Sequence, residues 1–185
     1  MRIPVVGMDP SMSNWGIASG ILDLTAGVLD TPHLQTVTPV KTVSKQVRQN
    51  SKDLEQAEQL SKIALEEARK AKVVFVEVPV GSQSARAMAS YGMCVGILGV
   101  IRSEGIPLIE VTPIEVKLAL AGTKSATKNQ MIQSAMSWYP EANFPYHHGK
   151  LSAEKAEHMA DAIGAIHAGV RTPMFQNLMR LFTGI

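Results

Sequence analysis

Val73-Val74-Phe75-Val76-Glu77-Val78-Pro79 carries a single charged side chain in an otherwise apolar run. A strand apolar at every position is a central strand, covered on both faces. A carboxylate at the tip of such a strand is costly unless something positive meets it, and no Arg or Lys is adjacent in sequence. Upstream, Leu54, Ala57, Leu60, Ala64, Leu65 and Ala68 recur at three- and four-residue spacing with charges between them, which predicts a helix over residues 44–72. Downstream, residues 82–104 read as a helix and 107–111 as another strand. Strand, helix, strand in that spacing pairs in parallel through crossovers.

The N-terminal stretch Ile3-Pro4-Val5-Val6-Gly7-Met8-Asp9 is a second buried strand ended by an acid. A turn over 10–14, a strand over 15–24 and a third over 28–40 follow, joined by short turns that favour antiparallel hairpins. The expected architecture is α/β: one mixed five-stranded sheet, three strands antiparallel and then two parallel, flanked by helices. Thr112-Pro113-Ile114-Glu115 has the form of a capped helix start, with Thr at N-cap, Pro at N1 and Glu at N3. Residues 125–138 predict a further helix, 140–149 a loop containing His147-His148, and Ser152 the cap of a long helix reaching about residue 170. One domain over 1–170 is expected, then an extension over 171–185 that includes a short helix near 174–182.

With 185 residues, 45% of them hydrophobic, the chain can bury one full core. A net charge of +2 permits nucleic-acid binding without demanding it. The single Cys94, set among Met93, Val95, Gly96 and Ile97, excludes an internal disulfide and a zinc-finger ligand set and reads as a buried, inert thiol. No signal-peptide core and no apolar stretch of spanning length is present, so a soluble, reducing, cytoplasmic setting is expected and no membrane contact.

Four residues invite a chemical reading. Asp9 and Glu77 end buried strands, and His158 and Asp161 stand three apart on one helix face, beside the small Ala162 and Ala165 and nearly opposite Met159, Ile163, Ile166 and Val170. Together they could converge on a divalent cation. Each also has a plainer reading. Asp9 in Asp-Pro-Ser can cap its own turn, or open a phosphate-holding hairpin of the actin-like and sugar-kinase kind; Glu77 can be structural, and the His-x-x-Asp pair can face solvent. His167 reads as a surface or cap residue.

Basic residues fall into groups. Lys41, Lys45, Arg48 and Lys52 have no acid between them, and a helix starting near Ser44 would put the last three on one face. Cations in a helix's first turns oppose its dipole, so an external anion such as a DNA backbone is the favoured motive, with a plainly solvated helix face as the alternative. Gly81-Ser82-Gln83-Ser84 with Arg86 forms a helix start suited to phosphate. Ala85, Ala89, Gly92, Gly96 and Gly99 line the same helix with small residues, for close packing either inside the fold or against another chain.

Taken in order, five pieces resemble the RuvC-type Holliday junction resolvases of the ribonuclease H-like superfamily. They are Gly7-x-Asp9-Pro10-x(5)-Gly16, Val76-Glu77 before the Ser/Gln/Ala-rich helix start, Val116-Lys117, Ser125-Ala126-x-Lys128, and His158-x-x-Asp161-Ala162-Ile163-x-Ala165-Ile166, a match running from Ile3 to His167. The resemblance implies a ribonuclease H-like fold and a crossover junction endonuclease in which Asp9, Glu77 and Asp161 bind metal. Position 158 has the His rather than the Asp form. It implies that Lys117 and Lys128 lie near the scissile phosphate, with Lys124 close by but without a clear counterpart, and that helix 82–104 helps form a twofold homodimer cutting two opposed strands. Hard oxygen donors suit two Mg²⁺ ions, with Mn²⁺ substituting because of the imidazole. His158 is either a ligand or a general acid or base. Two departures are Val80, where the family often has an aromatic that stacks at the junction, and a long segment from Tyr139 to Lys150. A phage-type variant fits both. The alternatives are a DNA-binding protein of this fold without cleavage, and an actin-like phosphotransferase or ATPase fragment, a fold that normally needs a second related domain.

Overall fold

The computed structural model describes residues 1–183. Along the chain run β1 (Arg2–Asp9), β2 (Trp15–Asp23), β3 (Val28–Leu29), β4 (His33–Val37), α1 (Gln49–Lys70), β5 (Val73–Glu77) and α2 (Ala85–Ser103). There follow β6 (Leu108–Val111), α3 (Pro113–Ala121), α4 (Lys128–Trp138), β7 (Tyr146–His147), β8 (Lys150–Leu151), α5 (Ala153–Gly169) and α6 (Pro173–Thr183).

The main sheet has the order β3-β2-β1-β5-β6, with β4 also on β2. β1 to β4 pair antiparallel, whereas β1 with β5 and β5 with β6 pair parallel. This is the expected mixed sheet. The third strand arrives in two pieces, because β3 takes the Leu22–Asp23 end of β2 and β4 takes the Trp15–Ser19 end. Pro32 lies in the gap, with no N–H to donate and a preceding residue whose backbone it restricts.

Helices cover both faces. Val5, Ala18, Phe75 and Ile109 pack against α3, α4, α5 and α6, while Val6, Met8, Ile17, Val74 and Val76 pack against α1 and α2. The alternation along β1 and β5 follows from the two-residue period of a strand. α6 belongs to the first of these cores: Phe175 is buried with its ring centroid 5.2 Å from that of Phe75. Residues 184 and 185 of the expected extension lie outside the described residues. Among the described residues no helix is long and apolar enough to cross a membrane.

Three local expectations are corrected. α1 begins at Gln49, not near Ser44, and Arg48 is its extended N-cap at φ −61°, ψ 146°. Residues 38–48 instead form a strap along α1. The Gln59 side chain brackets Val40, accepting from its N–H at 2.8 Å and donating to its carbonyl at 3.2 Å, and the Thr42 hydroxyl donates to Glu55. Lys45 is therefore off the helix, and Lys45, Arg48 and Lys52 share no common helical face. The expected loop over 140–149 contains the β7–β8 hairpin, closed by His148 and Gly149 at φ 47° and 73°. Two successive positive φ values match the twist of a hairpin. Finally, α4 starts at Lys128, where Thr127 and Gln130 form a reciprocal capping box.

Candidate functional site

Register brings the two strand-borne acids together. Gly7 lies beside Phe75 and Met8 beside Val76, so the next step places Asp9 level with Glu77 on the neighbouring parallel strand. Both share the parity of the side chains that face α5. α5 then lies directly on the sheet. A Cβ on Gly7 would sit 2.0 Å from the carbonyl oxygen of Ala162, and one on Gly16 would sit 2.1 Å from that of His158. These glycines set how closely the helix approaches. Both fall within strands read from the sequence; what the sequence does not show is that they face Ala162 and His158 of α5.

The approach puts His158 Nδ1 2.5 Å from Asp9 Oδ2, with both side chains largely shielded. Asp161, one turn on, shares this pocket of charge. Burial, then repulsion from Asp9 and Asp161, pushes the Glu77 carboxyl up to about 8. Burial, then Asp9 and Glu157, pushes Asp161 up to about 7. Lys117 on α3 pulls both back down. For His158, burial opposes the charged form, but the hydrogen bond to Asp9 and the surrounding acids leave it above the ordinary imidazole range. Three carboxylates crowded with one imidazole are a site short of positive charge.

The donors suit a hard divalent cation in kind. As placed they do not form a closed cage: among the described residues no three His, Cys, Asp or Glu side chains are gathered tightly enough to grip one ion. Asp9 would have to share its oxygens between His158 and a metal.

The lysines flank the acids. Lys128 feels Asp161 and Asp9, but its ammonium is bound to Glu157 at 2.8 Å, and that bond leads the causes that raise it. Sequence reasoning misses Glu157, although it precedes His158 and lies one turn from Asp161. Lys124 is exposed on the α3–α4 turn. Asn14 escapes it too. Its buried side chain accepts from the Thr38 hydroxyl at 2.7 Å and donates to Glu154 at 2.8 Å, tying the turn after Asp9 to the strap and to the first turn of α5.

Lys45 and Arg48 lie exposed on the strap, and Ser82 and Gln83 lie exposed in the loop after Glu77. Arg86, itself exposed, is engaged by the buried Asp53. Its guanidinium donates to both oxygens of Asp53 at 2.6 and 2.7 Å, and this holds the buried Asp53 carboxyl below the usual range. The pair is a strut between α1 and α2, and it engages the guanidinium that the sequence offers to phosphate. Cys94 is buried and pushed up to about 12, as an inert thiol should be. His167 is not a surface residue: its Nε2 shares a hydrogen bond with the Tyr139 hydroxyl at 2.7 Å, Trp138 packs on the ring, and burial drives it down to about 4. The small-residue stripe of α2 faces outward, since a Cβ on Gly92, Gly96 or Gly99 would meet nothing within 4 Å.

The same fold occurs in solved structures of RuvC from Thermus thermophilus. One, in complex with a Holliday junction substrate, superposes with a TM-score of 0.63 at 22% identity over 90% of this chain and 93% of that one. The other, a further structure of Thermus thermophilus RuvC, gives 0.63 and 22% over 97% and 96%. This chain has the RuvC fold, which is ribonuclease H-like. No protein-family model matches the chain, and no curated protein does. The likeness thus lies in the RuvC architecture, and the acids read from sequence stand at one end of its central strands.

Proposed function

We propose that this protein is a metal-dependent endonuclease that cuts branched DNA, resolving four-way junctions by paired hydrolysis of opposed phosphodiesters. The observation that carries the reading is the gathering of Asp9, Glu77, Asp161 and His158 at one sheet end, beside Lys117 and Lys128, in a RuvC fold. Asp9, Glu77 and Asp161, with or without His158, would hold two Mg²⁺ ions, for which Mn²⁺ substitutes. Bound there, the ions would supply an activated water and neutralise charge on the attacking and leaving oxygens.

The chain's own groups do the rest. Lys117, already within the field of Glu77 and Asp161, neutralises charge on the scissile phosphate. Lys128 does so once it exchanges Glu157 for phosphate. His158 is held by Asp9 through Nδ1, which leaves Nε2 as the atom able to carry a proton. Lys45, Arg48, Lys52 and Lys124, with Ser82 and Gln83, dock the DNA backbone around this centre. The outward stripe of α2 pairs two copies, giving each opposed strand its own site.

The test is a labelled four-way junction incubated with Mg²⁺ beside a linear duplex and a flap. Paired nicks in the junction alone support the reading. Tight binding without nicks in Mg²⁺ or Mn²⁺ makes the protein a non-cleaving junction binder, and failure to prefer the junction overturns the proposal.

A further inference from the structure

The β7–β8 hairpin has no role in the site described above, yet it is an exposed element with an anchored base. Tyr146, His147, His148 and Lys150 are all exposed, Tyr146 at 57%. The turn is fixed by its two positive φ residues. Its base is anchored three ways. Phe144 is buried in the core, the Ser152 N–H donates to the Pro145 carbonyl at 2.8 Å, and the Asn143 amide takes both backbone groups of Leu34 on the free edge of β4, at 2.7 and 2.8 Å.

Its place relative to the acids follows from sheet register. The row that starts at Asp9 passes through Gly16 to Thr36, whose hydroxyl donates to the Lys155 carbonyl on α5. Two strand spacings separate Asp9 from Thr36, roughly 10 Å. The hairpin leads straight into that first turn of α5, so it stands at the β4 side of the site's own rim. No acid occurs between Glu141 and Glu154, while Lys150, two imidazoles and a tyrosine hydroxyl offer hydrogen-bond donors on a fixed arm. Lysine and tyrosine donors are among those that supply phosphate and sugar contacts.

We propose that the Tyr146–Leu151 hairpin is a DNA-contacting arm that grips the backbone of one duplex arm of the branched substrate beside the site of cleavage. The inference rests on the nuclease reading and extends it to a surface outside the acids and lysines already assigned. It is tested with Lys150→Glu and with the double variant Tyr146→Ala/His147→Ala, both at exposed positions, with thermal melting to show that each remains folded. Affinity for a four-way junction is measured from low to moderate salt, and cleavage at saturating protein. The expected result is about a tenfold loss of affinity and, for Lys150→Glu, a salt slope shallower by about one, with single-turnover cleavage of bound junction kept. Wild-type affinity and slope in both variants overturn the arm and leave the nuclease reading intact. A wild-type protein that neither prefers nor cuts the junction overturns both.

Discussion

Glu77 and Asp161 are held near about 8 and 7 by burial and by each other's neighbours, so the metal-free fold keeps protons that the unfolded chain releases. Unfolded carboxyls titrate near 4. Between there and the folded values the native state binds more protons, and stability falls as pH rises. His158 acts in the same sense, since its raised value makes its contribution complete below the ordinary imidazole range and lost above the folded one. His167 acts oppositely, weakening the fold only as pH falls from about 6.5 toward about 4. Between pH 6.5 and 8.5 the metal-free melting temperature should therefore drop, and the rise produced by Mg²⁺ should grow. A Mg²⁺ effect that is flat across that window would separate these acids from metal binding. Asp9→Asn, Glu77→Gln and Asp161→Asn should each lower cleavage at least about a hundredfold and leave junction affinity equal or tighter. Near wild-type nicking by any of them would sink the assignment. Asp9 and Glu77 can be picked out in sequence because strand-tip acids after apolar runs are costly, and His158 and Asp161 because three-residue spacing puts them on one helix face. Asn14 and Glu157 cannot, because their partners lie 140 and 29 residues away and come within reach only through folding.

Elements show where local pattern stops. The capping signals at Thr112 and the βαβ spacing around β5 are contained in adjacent residues, and they fold as they read. The strap of residues 38–48 reads in part as helix because its charges continue the pattern of α1. What holds it off the helix is Gln59 and Glu55, which bond its backbone and Thr42 from further along the chain. Docking and chemistry should still separate. Replacing Lys45, Arg48 and Lys52 together with Ala should weaken binding to every junction sequence alike, and should flatten the salt slope by about 0.9 for each phosphate no longer neutralised. Lys117→Ala and Lys128→Ala should lower the cleavage rate more than affinity. A triple variant with the wild-type slope would mean that DNA does not cross the strap. Gly16→Ala tests the seating of α5. With His158's carbonyl 2.1 Å from the new methyl, the fold should lose about 1–3 kcal/mol, read by denaturant melting, and cleavage should fall with it.

For the whole molecule, the sheet order and the two covered faces are legible in sequence because strand pairing and crossover rules leave few topologies. The outward aim of the α2 glycines is not, since small residues at helical spacing suit an internal packing equally well. Gly96→Leu should leave the monomer fold unchanged, because nothing lies within 4 Å of the added Cβ, while weakening a twofold dimer and uncoupling its two cuts. Light scattering that finds the wild type monomeric at every concentration would remove the basis for paired incision. The three-layer build carries a mechanical consequence. α5 and the acids occupy one side of the sheet, and α2 occupies the other. In a pair joined back to back through α2, the two cutting centres are held apart by stacked layers of helix and sheet. Such a molecule is a caliper. In such a pair the gap between the nicks would be dictated by the girth of the protein, and a substrate would be accepted when its strands can be bent to span that gap.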